Sequence, residues 1–496
     1  MKGRFYIYRM ITWCFILWAI GSCGEDEVTE EIEEEVIFAT SIVLTGEDLE
    51  TETQRQLQVT FVPDNTTDQS VAWSVSDAAI AEISSTGLLT AKQNGTVTVT
   101  ATALDQSTVT ADLTLEISSI YEPSGEDIEV ATAEELVAAL ADIAPGDVIL
   151  LAGGTYAMTD RIVLNTSGTA AELITVMADP EATERPILDF SVQEENSSNQ
   201  GIQLKANYWH FKGLDIRKAG DNGMQIKGSN NTIEFCSFYE NSDTGLQLDD
   251  GAADNLILNC DSYYNADASV ENADGFAAKL GVGSGNKFVG CRAWQNLDDG
   301  WDGYLRGADH VQTEYESCWA IKNGIMKSGE VGGGDGNGFK TGGSDDKDLS
   351  HHATYKNCLA IGNVFDGFDH NSNRGAVSLY NCAAYDNGTN YNFSSSNALA
   401  SLEVKNCAVV GATGSLNATS KDITFNSWQD ELSATSDDYE SLAIDLLLGE
   451  RQADGSLPEV DFMQLVSGSD LIDAGTNVGL TFQGQAPDIG VFEKEN

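Results

Sequence analysis

Two stretches of this 496-residue chain bring together residue types that do chemistry. The first contains Glu271-Asn272-Ala273-Asp274-Gly275-Phe276 and resumes at Asp298-Asp299-Gly300-Trp301-Asp302. The second is Gly332-Gly333-Gly334-Asp335-Gly336-Asn337-Gly338-Phe339-Lys340. Asp274, Asp298, Asp299 and Asp302 repel one another if they converge, unless a cation sits between them. Hard carboxylate oxygens suit Ca²⁺ among the cations available outside cells. The alternative is a solvated acidic corner. A lysine beside such a cluster feels opposed influences. The carboxylates hold its proton, while a bound cation and burial favour its loss. If the cation prevails, the amine of Lys340 is a base; otherwise Lys340 is a salt-bridge residue.

These residues need a scaffold that places them side by side, and a repeat supplies one. Cys236, Cys260, Cys291, Cys318, Cys358, Cys382 and Cys407 recur at gaps of 24, 31, 27, 40, 24 and 25 residues. Each of the first six is followed five positions on by an asparagine: Asn241, Asn265, Asn296, Asn323, Asn363 and Asn387. A glycine-apolar pair comes next in most units, as in Gly245-Leu246, Gly275-Phe276, Gly300-Trp301, Gly338-Phe339 and Gly367-Phe368. A period in the twenties means a solenoid, each unit one coil of short strands. Equivalent residues stack at about 4.8 Å. The cysteines then form an inward thiol stack and the asparagines a hydrogen-bonded ladder at one corner. A leucine-rich horseshoe would need a leucine consensus, which is absent. An odd number of stacked thiols favours free core cysteines over disulfides. Asp274 and Asp298 lie 24 residues apart, so Asp274 is expected one rung below Asp298. Alignment on the glycine-apolar pairs sets Asp302, Lys340 and Asp369 side by side. The glycine-rich run before Lys340 is an insertion that lengthens one coil and shapes a cleft.

The N-terminal part is organised differently. Lys2, Arg4 and Arg9 precede an apolar run from Ile11 to Ile20 that is too short to span a bilayer. Ile20-Gly21-Ser22-Cys23 resembles a bacterial lipobox, with Cys23 as the lipidated residue; an ordinary secretory signal is the alternative. Residues 1–23 are read as this signal and residues 24–36 as an acidic tether. The acidic run also resembles the export signal of surface lipoproteins in Bacteroidetes, which implies display at the outer surface. Residues 37–118 show short alternating strands at sandwich spacing. Their run Ala72-Trp73-Ser74-Val75-Ser76-Asp77, followed by Gly87-Leu88-Leu89-Thr90-Ala91 and Gly95-Thr96-Val97-Thr98-Val99, resembles the bacterial Ig-like domain, group 2. The implied role is a spacer or weak adhesive module. Residues 119–126 are a linker. A helix capped by Thr132 and Glu135 then opens residues 127–496 and resembles the N-terminal cap of right-handed parallel β-helices.

Composition narrows the class. The net charge is −52, from 78 acidic against 26 basic residues, which excludes general affinity for nucleic acid and disfavours an anionic membrane surface. Contact with a membrane is expected only through the lipid anchor. A chain with 41% apolar residues is folded rather than an acidic disordered polymer. There is no CxxC motif, and the 5 histidines show no metal spacing.

The order Asn-Ala-Asp-Gly-Phe, Asp-Asp-Gly-Trp-Asp and Gly-Asn-Gly-Phe-Lys resembles the pectate lyases of polysaccharide lyase family nine. The tail segments Asp470-Leu471-Ile472-Asp473-Ala474-Gly475 and Ala486-Pro487-Asp488-Ile489-Gly490 look like the terminal part of such enzymes. The resemblance implies an all-β chain: a right-handed parallel β-helix behind an Ig-like β-sandwich. It implies Asp274, Asp298, Asp299 and Asp302 as ligands of a primary Ca²⁺ and Lys340 as the catalytic base. The implied reaction is β-elimination on α-1,4-linked galacturonan, with C5 proton abstraction and a 4,5-unsaturated product. Lys279, Lys322, Lys327 and Arg374 lie in or beside these coils and are candidate contacts for uronate carboxylates, or equally ladder salt bridges. A secreted, outer-membrane-anchored monomer is the expectation. A rhamnogalacturonan lyase of the same fold and chemistry, and a non-catalytic surface adhesin, remain as alternatives. A polygalacturonase would need Asn-Thr-Asp and Gly-His-Gly marks that are missing.

Overall fold

A computed structural model describes residues 36–49, 53–118, 120–121, 125–452 and 454–494. The signal segment with Cys23, and all of the tether but Val36, lie outside the described residues.

Three-residue strands dominate from residue 128 onward, because each coil turns after burying one or two side chains. They assemble into three parallel sheets of 12, 10 and 10 strands, to which successive coils contribute in turn. The corners explain the repeat. Phe235, Asn259, Gly290, Ser317, Asn357, Asn381 and Asn406 each precede a repeat cysteine, and all have φ between 50° and 61°. One left-handed residue suffices to bend the chain from the first sheet into the second, and Asn and Gly tolerate that conformation best. The cysteine that follows is buried, and all seven are free. Glu240, Tyr264, Gln295, Lys322, Gly362 and Asp386 make the next corner in the same conformation, with φ between 52° and 67°. Each precedes a ladder asparagine. Side-chain amides link Asn241, Asn265, Asn296, Asn323, Asn363 and Asn387 in succession at 2.8–3.0 Å. A second ladder joins Asn231, Asn255 and Asn286 at 3.0 Å per step.

The third sheet carries the chemistry. Phe276, Trp301, Phe339, Phe368 and Tyr391 stack inward on consecutive coils, with ring centroids 4.7–5.3 Å apart. Strand alternation therefore turns the residue after each outward. The outward column is Ala277, Asp302, Lys340, Asp369 and Asn392, the alignment expected from the glycine-apolar pairs.

The solenoid is closed at its start by the helix Ala133–Ala141. Thr132 caps it by accepting the Glu135 amide, while Glu135 reaches back to the Ala131 amide. The C-terminal segment folds back over the second sheet. Tyr439, Leu447, Phe462, Leu471 and Ile489 bury Trp319, Ile321, Leu359 and Ile361 beneath them. Arg292 and Arg451 both grip the buried Asp261, and Arg292 also donates to the carbonyls of Leu447 and Gly449.

Residues 41–117 form antiparallel strands around Leu49, Leu57, Leu89, Val97 and Val99. This Ig-like sandwich does not stand off as a free spacer. It docks on the outer face of the first sheet, where Thr53 donates to Glu234 at 3.2 Å. Gln54 bonds Asp454, and Gln56 bonds Thr481 of the C-terminal segment, each at 3.1 Å.

Candidate active site

Asp274 and Asp299 each immediately precede a stacked glycine. Phe276 pairs with Trp301, so Asp299 is the rung neighbour of Asp274. The sequence spacing had pointed to Asp298; the observed register is longer by one residue. Asp298 lies one position back and turns toward the insertion, accepting the Asp335 amide. Ala273, directly before Asp274, has φ of 126°, a costly conformation for a residue with a Cβ.

Carboxylate oxygens of Asp274, Asp298 and Asp299 lie within 4.8 Å of one another, and all three residues are buried. Asp302 stands beside this trio and is tied to lysines. Its Oδ2 is 3.4 Å from Lys279 Nζ, and its Oδ1 is 3.9 Å from Lys340 Nζ. Lys340 also lies 3.0 Å from Asp299 Oδ2 and 3.1 Å from Asp335 Oδ2, with its side chain only 10% exposed. Asp299 Oδ1 accepts from both the backbone and side-chain nitrogens of Asn337 at 2.9 Å. Asp299 Oδ2 meets Lys340 as an ion pair and has no further hydrogen-bond partner.

Burial, reinforced by neighbouring carboxylates, raises Asp299 well above the usual range and Asp298 to about 7. Burial also raises Asp274, against the pull of Lys279. For Asp302 the same burial is outweighed by Lys340 and Lys279, which hold it below its ordinary value. Burial would lower Lys340, but Asp299, Asp302, Asp298 and Asp274 overcome it and raise its pKa well above the usual lysine value. A group so held keeps its proton until something else neutralises the carboxylates. Three converging buried carboxylates with one orphaned oxygen suit a hard divalent cation. Asp274, Asp298 and Asp299 would hold it, with Asp302 adjacent.

The glycine-rich insertion is shaped by this site. A Cβ on Gly332 would meet Leu297 Cδ1 at 2.2 Å, one on Gly333 the Val270 carbonyl at 2.6 Å, and one on Gly334 Asp298 Oδ1 at 2.7 Å. Only bare backbone passes so close to the acidic coil. Beneath the site, His351 Nδ1 lies 2.8 Å from the carbonyl of Gly303, the residue after Asp302.

Of the four cations named as candidate contacts, the structure brings only Lys279 into the cluster, where it donates to Asp274 at 2.7 Å. Lys322 occupies a left-handed corner facing away and pairs with Asp445 at 2.7 Å. Lys327 pairs with Glu240 and lies 5.3 Å from the Tyr264 ring. Arg374 donates to the carbonyls of Lys347 and Ala398. The sequence reading missed the roles of Asn337 and Asp335. Asn337 occupies the same place before its glycine as Asp299, so alignment of the repeats could have found it. Asp335 reaches Lys340 through a loop that follows no repeat.

A family model described as the Pel9A-like, right handed beta helix region matches residues 117–406, more than half of the chain. The chain belongs to this family. Residues 40–113 match the bacterial Ig-like domain, group 2. Among curated relatives, pectate lyase L of Dickeya dadantii (strain 3937) is 35% identical over 369 residues, covering 72% of this chain and 85% of that protein. Pectate lyase L of Paenibacillus polymyxa (strain SC2) is 38% identical, covering 69% of this chain and 80% of that protein. The crystal structure of pectate lyase Pel9A superposes with a TM-score of 0.67 at 35% identity, covering 72% of this chain and 90% of that one. A rhamnogalacturonan lyase structure follows at 0.61 and 26% identity, covering 68% of this chain and 97% of that one. This Pel9A-like chain is a polysaccharide lyase with an Ig-like domain at its N-terminal side.

Proposed function

We propose that this chain cleaves α-1,4-linked galacturonan by calcium-dependent β-elimination, with Lys340 as the base. The observation that carries this reading is Lys340, projecting from the third sheet beside Asp302 and within 3.0 Å of the carboxylate trio at Asp299. Bound at Asp274, Asp298 and Asp299, Ca²⁺ would neutralise a uronate carboxylate and acidify the adjacent C5 proton.

The chain's own residues do the rest. With the carboxylate charge balanced, Lys340 is released to its neutral form and accepts the C5 proton on Nζ. The C5–H electron pair becomes the C4–C5 double bond, and the C4 oxygen leaves with its own pair and takes a proton from solvent. Asp302 and Asp299 hold the protonated amine in place. Asn337 fixes the Asp299 carboxylate through Oδ1 and leaves Oδ2 facing Lys340. No water attacks, which separates this chemistry from paired-carboxylate hydrolysis.

The test is ultraviolet absorbance of unsaturated ends after incubation with pectate, with and without chelator. Lys340→Ala should abolish the signal while circular dichroism stays unchanged; retained activity rejects the assignment. The likeness to a rhamnogalacturonan lyase structure favours a second reading, action on a rhamnose-alternating backbone. Rates on the two polymers decide between them.

We also propose that Cys23 is lipidated and anchors a monomeric enzyme at the cell surface, on the strength of the lipobox and the acidic run behind it. Membrane fractionation of a Cys23→Ala variant tests the anchor, and sedimentation of the soluble form tests the monomer.

A further inference from the structure

The glycine-rich insertion also joins its neighbours into a wall beside the acidic cluster. The Gly333 amide donates to the Val270 carbonyl at 3.0 Å, and the Phe365 amide donates to the Gly336 carbonyl at 3.1 Å. Val270, Val331 and Phe365 are exposed apolar residues on these segments, Phe365 at 54%. Register places Phe365 against the site. Trp301 pairs with Phe339, and Phe339 with Phe368. Asp298, Gly336 and Phe365, each three residues earlier, therefore form one column. Asp299, Asn337 and Asp366 form the column beside it. Asp298 turns its carboxylate into the trio. Phe365 stands two rungs farther toward the C-terminus, about 10 Å along the sheet, with only Gly336 between them in the column.

The floor beside Phe365 differs in charge from the floor at Lys340. Lys340 pairs with Asp369 on the following strand. Asp366 Oδ2 accepts from Asn392 Nδ2 at 2.7 Å, which sets its carboxylate over the third sheet. Burial raises the pKa of Asp366, and the charges of Asp369 and Asp335 add to the shift against the Asn392 bond. The coil from Cys358 to Cys382 carries two basic side chains, His370 and Arg374. His370 is buried, with Nδ1 3.8 Å from Asp369 Oδ1 and 3.2 Å from the Asn392 carbonyl. Arg374 is held by the carbonyls of Lys347 and Ala398. Neither is free to balance an incoming uronate carboxylate. An exposed phenyl ring beside such carboxylates accepts the apolar face of an uncharged ring and disfavours an anionic one.

We propose that Phe365 determines specificity, as the platform of a subsite that takes an uncharged sugar residue one rung past Lys340. A pyranose ring laid on the phenyl ring supplies the apolar cover that the chain itself does not. The inference rests on the proposed lyase reading and narrows its substrate to a galacturonan with uncharged residues among its uronates. Rhamnose and a methyl-esterified galacturonate share that chemistry.

The experiment is calorimetric binding of oligosaccharides of equal length, in saturating Ca²⁺, to the full chain carrying Lys340→Ala. The ligands are a fully acidic oligogalacturonate, a methyl-esterified one and a rhamnose-alternating oligomer. A ligand with uncharged residues should bind about tenfold more tightly than the acidic one, the gain from covering part of one phenyl ring. Tighter binding of either such ligand supports the subsite, and the tighter of the two names its occupant. Adding Phe365→Ala should remove the advantage, and adding Phe365→Tyr should keep it. Adding Asp366→Asn should narrow it, by strengthening the acidic ligand. Equal affinities for all three ligands, or an advantage that survives Phe365→Ala, overturns the proposal. Phe365 is exposed, so Phe365→Ala should keep the parent melting temperature, and a lost advantage then reports on binding. If the wild type cleaves none of these polymers, the lyase reading fails while the order of affinities still tests Phe365.

Discussion

Lys340 Nζ lies 3.0 Å from Asp299 Oδ2, and that oxygen has no further hydrogen-bond partner although Asp299 is fully buried. Lys340 supplies the positive charge that this oxygen faces. The same contact, with Asp302, Asp298 and Asp274 behind it, raises the amine's proton affinity and holds Lys340 protonated. On the proposed reading, a divalent cation at the carboxylates would turn this salt bridge into a base.

Lys340→Ala should lower the rate of unsaturated-product formation by about a hundredfold to ten-thousandfold, the usual contribution of a positioned base. Lys340→Arg keeps the charge but not an accessible neutral form, and should be as inactive as the alanine variant. Steady-state kinetics on pectate in saturating calcium measures both. An arginine variant with near-wild-type turnover would show that the residue serves only as a cation.

Stability without calcium should fall as pH rises. Asp298 has an ordinary pKa of 3.8 and is raised to about 7 in the fold. The folded protein therefore binds more protons than the unfolded chain between these values, and stability declines across that window. On the proposed reading, bound Ca²⁺ would take the place of those protons. Melting temperatures from pH 4 to 8 in chelator should drop toward the alkaline side, and added Ca²⁺ should flatten the curve. In Asp298→Asn the chelator curve should flatten on its own.

Much of this was legible in the residues. The asparagine ladder and the Asp302–Lys340–Asp369 column follow from spacing alone, because a solenoid repeats one geometry and a one-letter pattern carries it. Asp274 faces Asp299 rather than Asp298, a difference of one residue, because a coil of 24 or 25 residues fits the spacing equally well. Lys322 and Lys327 form salt bridges, the alternative that their place in the sequence leaves equally open, for a physical reason. Neighbourhood in sequence does not fix direction, and a single left-handed corner residue turns Lys322 toward the C-terminal segment. The docking of the Ig-like sandwich was illegible, since Thr53 and Glu234 are 181 residues apart and belong to no common pattern.

Gly334→Ala should weaken calcium without unfolding the chain. Its Cβ would sit 2.7 Å from Asp298 Oδ1 and 2.9 Å from Asp298 Cα, so either the loop or the carboxylate must shift. A displacement that costs about 1.4 kcal/mol of binding reduces affinity tenfold. Calcium titration should show that loss with far-ultraviolet circular dichroism unchanged. Unaltered affinity would mean that the loop moves freely away from Asp298.

Asn323→Ala tests the ladder. Asn323 Oδ1 accepts from Asn296 Nδ2, and Asn323 Nδ2 donates to Asn363 Oδ1 and the Ala293 carbonyl. Its removal orphans buried groups on both neighbouring coils, at about 1–3 kcal/mol each. Denaturant melts should show a loss of about 3–5 kcal/mol. Asn387, nearer the end of the stack and partly exposed, should be less costly when replaced.

Glu234 lies at the seam between the two domains. Glu234 is 1% exposed and meets His210 Nε2 at 2.8 Å, Lys212 Nζ at 2.7 Å and Thr53 Oγ1 at 3.2 Å. Burial works to raise its pKa, but the His210 hydrogen bond and the Lys212 charge prevail and bring it from 4.5 to about 2. A depressed carboxylate contributes stability that is complete above its unfolded value and is lost as pH falls through the folded one. The contribution is about 3 kcal/mol at most, by the conversion of pKa shift to free energy. Wild type should therefore melt above Glu234→Gln at neutral pH, with the gap closing between about pH 4.5 and pH 2. Thr53→Ala should cost less, about 1 kcal/mol, because it removes one neutral donor and leaves His210 and Lys212 in place. Limited proteolysis adds a readout of the seam itself. If Glu234 clasps the Ig-like domain, cleavage between the domains should accelerate in Glu234→Gln and in wild type at acid pH alike. Equal cleavage rates throughout would place the stabilisation wholly within the first sheet.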